Sequence, residues 1–193
     1  MATVAYTKWE EYIAKAVASC RRCELHKNRT HPVPGEGNPK ADLMFVGEGP
    51  GADEDRQGRP FVGRAGKRLD MWIEEYLGMK RKDVYIANTV KCRPPGNRTP
   101  TEEEMALCFP FLLAQITYIK PKVIVALGKT AAQDLLGVSK NASLKMLRSS
   151  NPYRRQGYYV IVTYHPAAIL RNASYEGAVR EDLKLAKEML EVG

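Results

Sequence analysis

Four cysteines are the residues best equipped to do chemistry: Cys20 and Cys23 in a C-x2-C pair, then Cys92 and Cys108. The pair offers two thiolates from one turn of chain. Nothing in the sequence suggests secretion, so structural disulfides are not expected. A redox C-x2-C pair is not expected either, since no thioredoxin-like context surrounds it. On the residues alone three readings stay open. The thiols are unrelated, or they hold zinc, which accepts four thiolates tetrahedrally, or they hold a cubic iron–sulfur cluster, which also takes four. Arg21, Arg22 and Lys91 lie beside the cysteines and are expected to offset thiolate charge and lower the thiol pKa values. A group held by all four would tie the N-terminal helix to the chain around 92–108, a structural role. It would also fix Lys91–Arg98, whose Arg93 and Arg98 could meet phosphates.

A second concentration of reactive groups is the run GEGPGADEDRQGRPFVG at 47–63. Its glycines make a tight loop with free backbone amides. Glu48, Asp53, Glu54 and Asp55 crowd it, and Phe61 stands in a Gly/Pro frame that suits a rigid exposed ring better than a core residue. Gly128-Lys129-Thr130 imitates the end of a phosphate-binding Walker loop, but Val123 stands where that motif needs glycine. The GKT therefore starts a helix, whose N-terminus could still receive a phosphate.

These groups need a frame. The chain has 193 residues, which suits one domain over 1–193. Residues 6–18 carry Trp9, Tyr12, Ile13, Ala16 and Val17 at helical spacing and read as a first helix, not a secretory signal. Strands are expected at 43–47, 84–90, 122–127 and 158–163, and helices at 67–77, 102–118, 129–136 and around Val179–Leu190. Thr101 with Glu104 forms a capping box, and Gly78 and Gly137 stop their helices. Strands that alternate with helices and are apolar on both faces imply an α/β fold with a mostly parallel four-stranded sheet between two helical layers. Sites in such folds lie beyond the carboxyl ends of the strands. Here those ends are Gly47–Gly49, Asn88, Gly128 and Tyr164–Pro166. No apolar run reaches membrane-spanning length. The net charge of +8 favours a polyanionic partner, and no acid occurs between Leu135 and Tyr175.

Together GEGPG…ED..GRPFVG, NTVKCRPP, YHPAAIL and the four cysteines resemble the family 4, thermostable, iron–sulfur uracil-DNA glycosylases. The resemblance covers about residues 10–190. It implies a three-layer α/β/α sandwich, a [4Fe-4S] cluster on Cys20, Cys23, Cys92 and Cys108, and removal of uracil from single- and double-stranded DNA. The product would be an abasic site, as in base excision repair. The enzyme is expected to be cytoplasmic, nucleoid-associated and monomeric, and no feature assigns a protein partner such as a sliding clamp.

The resemblance also assigns roles. The uracil-facing positions are Gly49, Phe61, Asn88 and His165: Phe61 stacks on a flipped base, and Asn88 reads its edge. His165 donates to uracil O2 and stabilises the leaving anion. Related enzymes carry an aspartate at the position of Gly49 and a tyrosine at that of Gly51. Glu48 is therefore the first candidate to direct water, and Glu54 the residue that fills the space beside Gly51; the two roles could be exchanged. Ile169, Leu170 and Arg171 are candidates for the wedge that fills the emptied base stack. Arg93–Arg98 lacks histidine and is short, so ordinary turnover without a covalent DNA adduct is expected. Two rivals stand beside this reading: a broader glycosylase acting on hypoxanthine or thymine mispairs, and a noncatalytic nucleic-acid-binding module built on zinc.

Overall fold

The computed structural model describes residues 8–192; the expected helix residues 6 and 7 lie outside them. Helix α1 spans Lys8–Ala18. Strands β1 (Glu36–Gly37) and β2 (Leu43–Gly47) follow, then helices α2 (Ala52–Gln57) and α3 (Arg64–Leu77). Next come β3 (Tyr85–Asn88), α4 (Glu102–Ile119), β4 (Val123–Leu127), α5 (Lys129–Leu136) and α6 (Leu144–Ser149). The chain closes with β5 (Tyr153–Arg155), β6 (Tyr158–Thr163), α7 (Pro166–Arg171) and α8 (Glu176–Glu191). No helix among the described residues is long and apolar enough to cross a membrane.

The sheet has six strands in the order β1-β3-β2-β4-β6-β5, not four. The four expected strands form its parallel centre. Two short antiparallel edges were missed: β1 has two residues, and β5 is the polar run Tyr-Arg-Arg, so neither carries an apolar signal. Alternation splits the central strands between two cores. Leu43, Phe45, Val123, Val125 and Ile161 face α3, α7 and α8 residues on one side, while Met44, Val46, Ile124, Ala126 and Val160 face α4, α5 and α6 on the other. Burial on both faces is why these strands read as continuous apolar runs.

The order matters for function. From β2 the chain steps to β3 on one side and returns to β4 on the other, so the strand order reverses beside β2. A crevice opens at such a switch point, at the carboxyl ends of the strands. Register places Gly47 at the end of β2 directly opposite Asn88 at the end of β3. Thr89 and Val90 then donate main-chain hydrogen bonds to Gly47 and Glu48, which holds the two exits together.

Candidate active site

The crevice is a cleft of about 520 Å³ that brings together Glu48, Gly49, Glu54, Phe61, Asn88 and His165, with Lys129, Thr130 and Arg171 on its wall. Phe61 corrects an expectation. Its ring is not exposed but 5% accessible and part of the core, with one edge turned to the cleft. Its backbone has φ of 49°, an unusual conformation for a bulky residue. Arg81 holds it there, donating to the carbonyls of Phe61 and Pro60 and pairing with Asp70. Gly66 lets α3 press on the same peptide, because a Cβ there would stand 1.9 Å from the Phe61 carbonyl oxygen.

Asn88 is 2% exposed, yet its Oδ1 is buried without a hydrogen-bond partner. An unpaired buried acceptor is costly, and Asn88 is one of the residues that line the cleft. A Cβ on Gly47 would fall 2.6 Å from this oxygen and 2.5 Å from the Phe61 ring, so glycine is the only residue this approach tolerates. His165 caps α7. Its Nδ1 accepts from the Ala167 N–H at 3.0 Å, so in the neutral ring the proton sits on Nε2. Burial, reinforced by Arg171, lowers its pKa from 6.5 to about 4. The ring lies 5.4 Å from Phe61, centroid to centroid. It is therefore a neutral hydrogen-bond donor at ordinary pH.

The carboxylates separate by partner. Glu48 accepts from the Thr130 hydroxyl at 2.7 Å through Oε1 alone. Glu54 uses both oxygens on main-chain donors, Gly51 at 3.0 Å and Val62 and Gly63 at 2.9 Å. Glu54 thus clamps the glycine loop to the Phe61 turn, and the expectation that it could exchange roles with Glu48 in directing water is corrected. Its Oε1 also lies 2.9 Å from where a Gly51 side chain would begin. Asp55 accepts from the Thr30 N–H and Asp53 pairs with Arg56, so both are structural. At Gly49 a side chain would meet Val90 at 2.8 Å.

The expected DNA contacts fare unevenly. Ile169 is 3% exposed in the core, which corrects its place as a wedge candidate, whereas Leu170 stands out from α7 at 39%. Arg171 lines the cleft. Arg98 is not a free cation: it forms a two-pronged ion pair with Glu104 at 2.7 and 2.8 Å. Arg93 Nε donates to Asn97 on the exposed turn. Arg148, in the acid-free stretch, is paired with Asp182 in the interior.

Behind the cleft, Cys20, Cys23, Cys92 and Cys108 line a single cavity with Val17, Leu107 and Phe111. Among the described residues no three histidine, cysteine or acidic side chains converge to hold one metal ion. Three of the thiol pKa values are raised, not lowered as expected: burial pushes up Cys23 and Cys92, and takes Cys108 to about 11. Desolvation outweighs the nearby cations. The partner of Cys92 is Arg29, at 3.2 Å, a residue the sequence did not single out. Lys91 is fully buried, and its ammonium donates to the Asn88 carbonyl at 2.8 Å and to Gln115 Oε1 at 2.7 Å.

The Uracil DNA glycosylase superfamily model matches residues 34–187. A type-4 uracil-DNA glycosylase of Thermotoga maritima is 50% identical over 189 residues, covering 96% of this chain and 97% of that protein. One from Sulfurisphaera tokodaii is 46% identical, covering 93% and 84%. A type-5 uracil-DNA glycosylase of Thermus thermophilus is 30% identical, covering 69% of this chain.

The His165 ring is expected to titrate near 4, read by NMR shifts assigned with His165→Gln. The sign follows from linkage: below about 6.5 the unfolded chain takes up the proton first, so this ring's share of stability is lost as pH falls toward 4. A midpoint near 6.5 would contradict the buried, neutral assignment.

Proposed function

Because the chain belongs to the uracil-DNA glycosylase superfamily, we propose that it flips uracil out of DNA and hydrolyses its N-glycosidic bond, leaving an abasic site. Uracil excision for DNA repair is the activity of a hydrolase of N-glycosyl bonds. The observation that carries the finer reading is Asn88, which lines the cleft while its buried Oδ1 has no hydrogen-bond partner among the described residues. Uracil offers a donor at N3, and the Asn88 NH2 would give to O4. Cytosine carries an acceptor at N3, so the same oxygen would face a lone pair and remain unpaired. The Phe61 edge and ring give the base an apolar wall. Glu54 fills the space beside Gly51 where the thymine methyl would enter.

As the bond lengthens, negative charge gathers on uracil and positive charge on the sugar. The His165 Nε2–H donates to uracil O2 and stabilises the departing anion without itself giving up a full charge. Glu48 is held through one oxygen by Thr130, and its other oxygen accepts no hydrogen bond from the described residues. That oxygen would orient water and favour the sugar cation. Lys129 and Arg171 on the cleft wall would meet phosphates on either side of the flipped nucleotide.

The four thiols line one cavity, and the family reading would place a [4Fe-4S] group on them, since such a cluster takes four thiolates. When bound, that group supplies a rigid covalent tie between the end of α1, the segment after β3, and α4. Arg29 and Lys91 would balance the thiolate charge.

An oligonucleotide carrying one uracil should break only after alkali, with thymine and cytosine controls intact and no protein–DNA band on a denaturing gel. Breakage at thymine, or strand cleavage without alkali, would overturn the proposal. The two glutamates should separate as well. Glu48→Gln should slow single-turnover excision with little change in melting temperature. Glu54→Gln, which weakens three half-buried hydrogen bonds from main-chain donors, should lower stability by about 1–3 kcal/mol. An unchanged rate in Glu48→Gln would remove it from the mechanism.

A further inference from the structure

Lys91 lines the cysteine cavity and has no role at the cleft described so far, yet its side chain reaches the main chain of the cleft residue Asn88. It is 1% exposed. A buried ammonium needs polar partners, and this one has two, the Asn88 carbonyl and Gln115 Oε1. Gln115 is fixed in turn, its amide donating to the Pro34 carbonyl at 2.6 Å and the Tyr85 hydroxyl at 3.1 Å. At its other end Lys91 is bonded to Cys92, its main-chain N–H hydrogen-bonds the Cys108 thiol, and its carbonyl accepts from Val33 at 2.7 Å.

We propose that Lys91 is a positioning residue that couples the four-cysteine site to the base-reading Asn88. Two of the four cysteines hold its backbone, and its ammonium holds the Asn88 peptide from behind the strand. The Asn88 side chain leaves that same peptide unit with no protein partner for its Oδ1. Its aim therefore depends on the backbone to which Lys91 is fastened. Any group bound by the cysteines then acts on uracil recognition through one side chain, and not only on overall stability.

This inference rests on the reading of Asn88 as the uracil reader, so the experiment separates the two. Asn88→Ala, Lys91→Met and the double variant are purified with the cysteine site loaded, and iron per chain is measured for each. Single-turnover excision from a uracil oligonucleotide is compared with affinity for an oligonucleotide carrying an abasic site, which offers Asn88 no base. Lys91→Met leaves two buried acceptors unpaired and should slow excision about tenfold to a hundredfold, with abasic-site affinity within about twofold. On top of Asn88→Ala the same change should cost less than about threefold, because coupled residues are not additive. An undiminished effect in the Asn88→Ala background, or an equal loss of abasic-site affinity, would overturn the coupling. Unchanged excision by Asn88→Ala alone would overturn the base-reading assignment instead. If Lys91→Met does not fold, Gln115→Leu, which removes the second partner of Lys91 and touches no cysteine, is judged by the same criteria.

Discussion

The structure turns on a close approach at the end of β2. Gly47 lies opposite Asn88 in the parallel register, and the Phe61 ring reaches over both. No side chain fits at Gly47, since its first carbon would overlap the ring and the carboxamide. The Phe61 ring, the Asn88 amide and the strand end are thus parts of one packed unit. Other features serve to hold that unit: Arg81 and Gly66 keep the Phe61 turn in its positive-φ form, Glu54 ties that turn to the glycine loop, and Lys91 supports Asn88 from behind. Preorganisation of this kind lets a pocket discriminate by leaving the wrong base with unpaired groups.

The central sheet was legible because strands buried on both faces leave unbroken apolar runs, as Leu43–Gly47 and Val123–Leu127 do. Helix α4 announced itself through its capping box, which forms as Thr101 and Glu104 predicted. The edge strands were not legible, since Glu36–Gly37 is too short and Tyr153–Arg155 too polar to show a period. Helices α2 and α6 are six residues each, below the length at which amphipathic spacing is distinct, and their boundaries are set by Gly51 and Ser143 caps.

The site was legible as a set of residues but not as a set of partners. Asn88 and His165 stood out as polar residues at the ends of apolar strands, and the resemblance gave them their expected roles. Charge was misread where a partner lay on another element. Arg98 looked like a phosphate ligand, but Glu104 on α4 claims it, and Arg148 of the acid-free stretch is claimed by Asp182 on α8. The thiols looked activated by neighbouring cations, whereas burial dominates and raises them. One signal did exist for Lys91: a lysine placed at the exit of a buried strand, directly before a cysteine, must find partners inside the protein.

The central claim is that the base-reading amide and the stacking ring are positioned by the space above Gly47. Gly47→Ala tests it most directly, read by single-turnover uracil excision beside thermal melting and iron content. The added methyl should displace Phe61 and Asn88 and lower the rate about a hundredfold, while overpacking costs about 1–3 kcal/mol and the chain stays folded with its cysteine site loaded. A folded, loaded Gly47→Ala protein that excises uracil at the unmodified rate would contradict the account.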